Sequence, residues 1–188
     1  FDNSDLRPRG VPTPAELALL NPLKAQLPPE VFGEPYKPFV TDGTGADRRP
    51  VREALRLLDE AGFKVAGGKM VDPAGKPVVI EMLLRSGIVG DERLANAYRR
   101  DLERIGIELV LRSVDSSQYQ ARIEQYDFDL AIRRWGATLS PGNEQANYWG
   151  TASGAAPGGR NEVGVASPAV DALVAALMGA KTREELTA

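Results

Sequence analysis

Between residues 78 and 132 the hydrophobic period of the chain switches repeatedly, and no other feature constrains the fold as tightly. Residues 78–84, VVIEMLL, are an almost unbroken apolar run, the mark of a strand buried on both faces. Residues 91–105 then place Leu94, Tyr98, Leu102 and Ile105 on one helical stripe that stops at Gly106. Residues 107–114 alternate through Ile107, Leu109 and Leu111, and Ser116 or Ser117 is placed to cap a helix bearing Tyr119, Ile123 and Tyr126. Phe128, Leu130 and Ile132 alternate again. Strand, helix, strand, helix, strand predicts a parallel sheet with right-handed crossovers, an α/β fold.

The flanks fit this scheme. Val51, Ala54, Leu55, Leu58 and Ala61 repeat at helical spacing and end at Gly62, a C′ glycine. Val65 to Met70, with Gly67-Gly68 at its centre and the Asp72-Pro73-Ala74-Gly75 turn behind it, predicts a hairpin. Ser167-Pro168 opens a last long helix with Val170, Leu173, Val174 and Leu177 facing inward. Residues 1–49 are rich in Pro and Gly and carry one marked helix start, with Thr13 as N-cap, Pro14 at the first position and Glu16 closing the box. The rest of that stretch predicts an extended connector, because each Pro in PPEVFGEPYKPFV removes a donor and biases its predecessor to extended backbone. The expected division is a connector at 1–49 and an α/β lobe at 50–188, with the small-residue stretch 151–159 as a mobile loop.

In an open parallel sheet, ligands bind beyond the carboxyl ends of the strands, where successive crossovers leave in opposite directions. A 2-1-3 strand order puts that place between the first and third strands. There the sequence has Arg85-Ser86-Gly87 and Arg133-Arg134-Trp135-Gly136, with Asp115 and Ser116 on the second strand's side. The segment that follows, RRWGATLSPGNEQANYW, concentrates aromatic and hydrogen-bonding groups with neither helical nor strand periodicity. Trp135 and Trp149 either plug the end of the sheet or face a ligand; both are open on these residues alone.

Composition narrows the chemistry. The 188 residues, 43% hydrophobic, are enough for a core. A net charge of -3 supplies no basic patch, so nucleic acid is not an expected partner. Zero His and zero Cys remove the usual general base near neutral pH and the usual transition-metal ligands, leaving no nucleophile-base pair and no typical zinc site. Asp42-Gly43-Thr44-Gly45-Ala46-Asp47 lacks the ligand spacing of an EF-hand and the Gly-Lys-Ser/Thr of a P-loop, and is expected to be a solvated turn. Asp127 and Asp129 lie at the amino end of their strand and are expected on turn and solvent faces. No apolar stretch approaches the ~20 residues of a membrane span. The start at Phe1 without Met, and a closing Thr182–Glu185 capping pattern, lead to the expectation that this is part of a longer chain.

The order of a helix running into AGF, a hairpin with DPAGKPVVIEMLL, a helix ending LERIGIELVLRSVD, and SSQYQARIEQYDFDLAIRRWG resembles the C-terminal lobe of bacterial extracellular solute-binding proteins of family 5. These are periplasmic peptide-binding components of ABC importers. RWGATLSPGNEQANYWG, with VDSSQYQ upstream, looks like the Yej-type oligopeptide and microcin C binders within that family. The resemblance implies a type II periplasmic-binding-protein-like lobe, a non-catalytic receptor without cofactor or metal, and an N-terminal lobe of the same protein that completes a peptide cleft. It also implies an inner-membrane ABC permease as partner and a periplasmic location, with the signal peptide outside this sequence. Trp135 matches the cleft tryptophan of dipeptide and oligopeptide binders; where those relatives place an Asp three residues later for the ligand amino terminus, this chain has Thr138. Glu144 or Asp115 then supplies that charge, or the ligand has no fixed amino end. The loop residues Gly136, Ser140 and Asn143 and the strand-end Ser86 are ligand-contact candidates, and Arg85, Arg133 and Arg134 are candidates for ligand carboxylates. Adjacent strand residues face opposite ways, so at most one of the last two is expected in the cleft. The alternatives are a same-family binder of a nickel chelate, sugar or opine, and an α/β enzyme domain acting on a phosphorylated substrate.

Overall fold

The computed structural model describes residues 5–7, 9–136 and 138–187; Ala137, inside the RWGATLSPGNE run, lies outside them. Along the chain come α1 (Pro14–Leu20), 3₁₀ turns at Asn21–Gln26 and Pro29–Phe32, α2 (Arg49–Glu60), the strands β1 (Lys64–Ala66), β2 (Lys69–Val71) and β3 (Val79–Arg85), then α3 (Val89–Glu103), β4 (Glu108–Val114), α4 (Ser116–Glu124) and β5 (Leu130–Ala131). Four helices follow, α5 (Glu144–Trp149), α6 (Thr151–Ala155), α7 (Pro168–Gly179) and α8 (Arg183–Thr187). The chain divides into two units, Pro38–Arg134 and Phe1–Lys37 with Trp135–Ala188. This differs from a split at residue 49, because residues 135–188 group with the first 37 residues and the sheet stands in a unit of its own.

In the 38–134 unit, β3 is central and pairs in parallel with β4 and with β5, giving the order β4-β3-β5, the expected 2-1-3. The third strand is shorter than its alternation predicts. The Asp129 carboxylate accepts the Glu81 N–H at 2.7 Å, so a side chain takes the β3 donor next to the point where pairing starts at Met82 with Leu130. Helices cover both faces of the sheet. Met82 and Leu84 pack with Ala95, Leu102, Ile105, Ile107 and Leu109, and the α2 stripe of Val51, Ala54, Leu55 and Leu58 joins them. Leu83 turns to the other face against Tyr119 and Ile123. The α3 stripe differs from its sequence expectation, since Leu94 and Tyr98 are exposed while Asp91, Ala95 and Leu102 are the buried residues. Tyr126 is likewise exposed and follows the end of α4 with a positive φ of 54°.

The hairpin β1–β2 turns through Gly67 and Gly68, both with positive φ (57° and 79°), as a two-residue primed turn requires. It is tied to the sheet at Gly106, which has φ +80° and accepts the Met70 N–H at 2.7 Å. A Cβ at Gly106 would stand 2.7 Å from the Met70 nitrogen, so this close approach admits glycine alone. The 42–47 loop satisfies itself: Asp42 Oδ1 accepts from the Thr44 N–H and hydroxyl, and Asp47 accepts from the Asp42 and Arg49 N–H groups.

In the other unit, α1 carries the expected capping box, with the Thr13 N–H donating to Glu16 Oε2 at 2.6 Å and the Glu16 N–H to Thr13 Oγ1 at 3.3 Å. The two 3₁₀ turns after it replace part of the predicted extended connector. Residues 151–155 form α6 where a loop was predicted. The buried Asn161 explains the order beyond it: its amide donates to the carbonyls of Gly150 (3.0 Å) and Val165 (2.7 Å), and its oxygen accepts the Val165 N–H (3.0 Å). No helix among the described residues is long and apolar enough to cross a membrane.

Candidate functional site

The parallel register delivers Arg85, Ser86, Asp115, Arg133 and Arg134 to the carboxyl edge of the sheet in the 38–134 unit. Arg85 ends β3 and is exposed, and its guanidinium makes no ion pair or hydrogen bond among the described residues. The Ser86 N–H donates to the Val114 carbonyl at 2.8 Å, joining the ends of β3 and β4. Asp115, not Ser116 or Ser117, caps α4: its Oδ1 accepts from the Ser117 N–H at 2.8 Å and the Gln118 N–H at 3.0 Å. A carboxylate meets the partial positive charge of a helix N-terminus better than a hydroxyl, and Asp115 commits one of its two oxygens there.

Arg133 and Arg134 diverge as strand alternation requires. Leu130 and Ile132 pack into the cluster beneath α3, whereas Ala131 packs beneath α4. Arg133 accordingly lies 5.8 Å from the centroid of the Tyr119 ring on α4, a cation–π distance. Tyr119 is buried, and its hydroxyl donates to the Ile132 carbonyl at 2.9 Å, fixing the backbone just ahead of the two arginines. Arg134 instead pairs with Asp91 in the first turn of α3, Nη2 to Oδ1 at 2.5 Å and Nη1 to Oδ2 at 3.3 Å. The Arg134 hydrogen bond holds the Asp91 carboxyl below its ordinary range against the opposing effect of burial, helped by the fields of Arg134 and Arg85, and Asp91 in turn raises Arg134. Asp91 is a functional candidate that periodicity does not single out, and Tyr119, which periodicity gives only as a residue of the α4 stripe, is a second. Asp91 had a signal nonetheless, an acid in the first turn of a helix that starts at the carboxyl end of the central strand.

The other sequence-predicted residues belong to the second unit. Trp135 and Trp149 form a tilted ring pair with centroids 6.4 Å apart and planes at 42°. Trp149 remains 38% exposed, and its indole N–H donates to Gln145 Oε1 at 3.0 Å, so it is not a buried plug. Residues 144–149 are the helix α5, which six residues are too few to announce by periodicity. Glu144 Oε1 accepts from the Gly142 N–H at 3.0 Å and from Gln145 Nε2 at 3.2 Å, and these bonds lower its pKa. Thr138 Oγ1 accepts the Ser140 N–H at 3.3 Å; Gly136, Thr138, Ser140 and Asn143 are exposed. The Leu139 carbonyl accepts from Arg183, which also pairs with Asp5.

The sheet edge of the 38–134 unit offers positioned cations, and the other unit separately offers a partly exposed ring pair; each is equipment suited to binding. Residues 21–157 match the family described as bacterial extracellular solute-binding proteins, family 5 Middle. An uncharacterised protein y4wM of Sinorhizobium fredii is 43% identical over 189 residues, 100% of this chain and 28% of that protein. A probable peptide-binding protein YejA of Agrobacterium fabrum is 41% identical over 189 residues, 100% of this chain and 30% of that protein. Among solved structures, the oligopeptide-binding protein AppA of Bacillus subtilis, in complex with a nonapeptide, aligns with a TM-score of 0.62 at 22% identity, over 72% of this chain and 27% of that one. The chain is a member of the family 5 extracellular solute-binding proteins, and its α/β sheet unit has that family's fold. It spans less than a third of the length of the curated relatives it matches.

Proposed function

We propose that this chain is part of the substrate-binding component of an ABC importer, which captures peptides in the periplasm and hands them to an inner-membrane permease without chemical change. One observation carries this reading. The carboxyl edge of the sheet presents Arg85 and the Asp91-held Arg134, and the chain contains no His or Cys with which to build a nucleophile-base pair. The relationship to a probable peptide-binding protein at 41% identity supports peptide as the ligand class. Peptides of varied sequence share only backbone groups and two charged ends, so a receptor for them needs a few fixed charges, backbone hydrogen bonding and sequence-tolerant aromatic surface. Trp135, Gly136, Thr138, Ser140, Asn143 and Glu144 would supply the latter two, and the rest of a longer polypeptide the opposing wall.

The test is to purify the full-length receptor from periplasmic extract, release its bound material with denaturant, and identify that material by mass spectrometry. Peptides are the expected cargo. Recovery of an oligosaccharide, an opine or a metal chelate in their place would refute the peptide assignment, and failure to find the protein in the periplasmic fraction would refute the location.

A further inference from the structure

The hydrophobic residues of the two units are covered very unequally. In the 38–134 unit the buried ones run from Met70 to Ile123, whereas in the other unit Ala169 is the one buried hydrophobic among the described residues. Helix α7, PAVDALVAALMG, belongs inside a core by its sequence, because a helix that is apolar all round has no face suited to water. Asp171 is its one charged side chain, and that carboxylate accepts the Thr151 N–H at 2.9 Å. Yet Ala172, Ala175, Ala176 and Met178 are exposed. Beside α7 runs a mainly apolar groove of about 1380 Å³, whose lining includes Leu19 of α1, Val31, Tyr36, and Leu173, Ala176 and Leu177 of α7. Tyr36 is 87% exposed.

A groove of this size exceeds the roughly 300–1,000 Å³ of a small-ligand pocket. A unit with one buried hydrophobic residue also lacks the apolar burial that offsets the entropy of ordering its chain, so something must complete it. The relatives supply the occupant by their length, since this chain spans 28% of the Sinorhizobium protein and 30% of the Agrobacterium one. We propose that α7 and the groove are one half of a hydrophobic core whose other half is a segment of the same polypeptide outside residues 1–188. The small groove residues Ala15, Ala18 and Gly179 leave room for large side chains, so that segment is an apolar one rich in aliphatic or aromatic residues. The groove is then a seat within the fold, and this holds whether or not the cargo is a peptide.

The experiment uses the full-length receptor with a single cysteine introduced by Ala176→Cys in the groove or, as an exposed control, by Asp59→Cys on α2; residues 1–188 have no cysteine of their own. A thiol reagent is expected to label Ala176→Cys at least about a hundredfold more slowly than Asp59→Cys in the native receptor, because a covered thiol reacts only through local opening. In denaturant the two rates should agree. A native rate equal to the control's would mean an open face and would overturn the proposal. So would protection that disappears on dilution, the sign of a second copy, or on removal of bound cargo, the sign of a ligand. Placed at Tyr36, p-benzoylphenylalanine keeps an aromatic ring and should cross-link, at monomer mass, to a residue outside 1–188. A link confined to residues 1–188, or one at twice that mass, counts against the assignment. If Ala176→Cys does not fold, hydrogen exchange of the unmodified receptor decides: the amides of α7 should be protected as strongly as those of β3, and exchange as fast as in an unpacked helix sinks the idea.

Discussion

Tyr119→Phe isolates the contact that fixes the approach to Arg133 and Arg134. The ring is 5% exposed against Leu83 and Ile123, and phenylalanine keeps that packing. What disappears is the hydroxyl donating at 2.9 Å to the Ile132 carbonyl. The net loss of a neutral hydrogen bond, with its acceptor left partly buried and unmet, is about 1–2 kcal/mol. In a domain of about 100 residues this lowers the thermal midpoint by roughly 5–10 °C. The measurement needs a probe that reports the sheet unit, because both tryptophans lie in the other unit. Far-UV circular dichroism during urea unfolding, compared with tryptophan fluorescence on the same samples, separates the two. The expected result is a lower urea midpoint by dichroism with an unchanged slope. Tyr119→Ala, which also removes the ring, should cost about 3–5 kcal/mol. A Tyr119→Phe midpoint equal to wild type would refute the reasoning, because it would mean that the Ile132 carbonyl exchanges its partner for water at no cost.

Three further outcomes follow from the same structure. Gly106→Ala should destabilise the sheet unit by about 2–4 kcal/mol, from the left-handed φ together with a Cβ 2.7 Å from the Met70 nitrogen. Gly87→Ala, at nearly the same φ but with nothing within 4 Å, should cost only about 1 kcal/mol, and equal losses in urea unfolding would show that the Met70 contact is not what excludes a side chain. Without His, no side chain of this chain has an ordinary pKa between pH 5 and 8, so its stability should be flat there. Asp91, Glu144 and Asp171 all have lowered pKa values, so their contribution is complete above the unfolded carboxylate range and is lost as pH falls below about 4. Asp91→Asn should flatten the acid limb of a midpoint-versus-pH curve. Trp135→Ala, which removes the partner ring of Trp149, should weaken peptide binding by the full-length receptor about tenfold or more, and wild-type affinity in that variant would move the site elsewhere.

Local chemistry was legible in the sequence wherever one short segment carried the whole instruction. The Thr13–Glu16 box, the Gly67-Gly68 turn and the Ser167 cap form as written, since each is decided within about four residues. The parallel order was also legible, because a continuous apolar run at the first strand demands helices on both faces. The length of β5 was not. Alternation at Phe128, Leu130 and Ile132 dictates where side chains point, but pairing depends on what the neighbouring strand is offered, and Asp129 answers Glu81 first. The stripe on α3 was misassigned for a related reason: periodicity selects a face by hydrophobicity, whereas the buried face here includes Asp91, whose place is set by an arginine 43 positions away. Tyr119 reaching the Ile132 carbonyl is equally invisible until the topology brings them together.

Most of the charged groups at the candidate site already have partners within their own units, and this bears on how such a chain would bind. Asp115 is committed to the α4 N-terminus, Glu144 to the Gly142 N–H, Arg134 to Asp91, and Arg133 lies over the Tyr119 ring. A side chain ordered before the ligand arrives does not lose its rotamer freedom again on binding, a saving of about 0.5–1.5 kcal/mol for each one. The cost is capacity, because an acceptor engaged by its own backbone has less to offer a ligand. Arginine escapes that trade, since a guanidinium has five N–H donors and Asp91 uses two. In the 38–134 unit the Arg134 guanidinium therefore keeps donors beside its paired Asp91, which suits that end of the sheet to hydrogen-bond acceptors. Asp115 and Glu144 each spend one oxygen on backbone N–H donation within their own unit, and the Thr138 hydroxyl accepts from Ser140, so each of these groups is oriented before any ligand arrives.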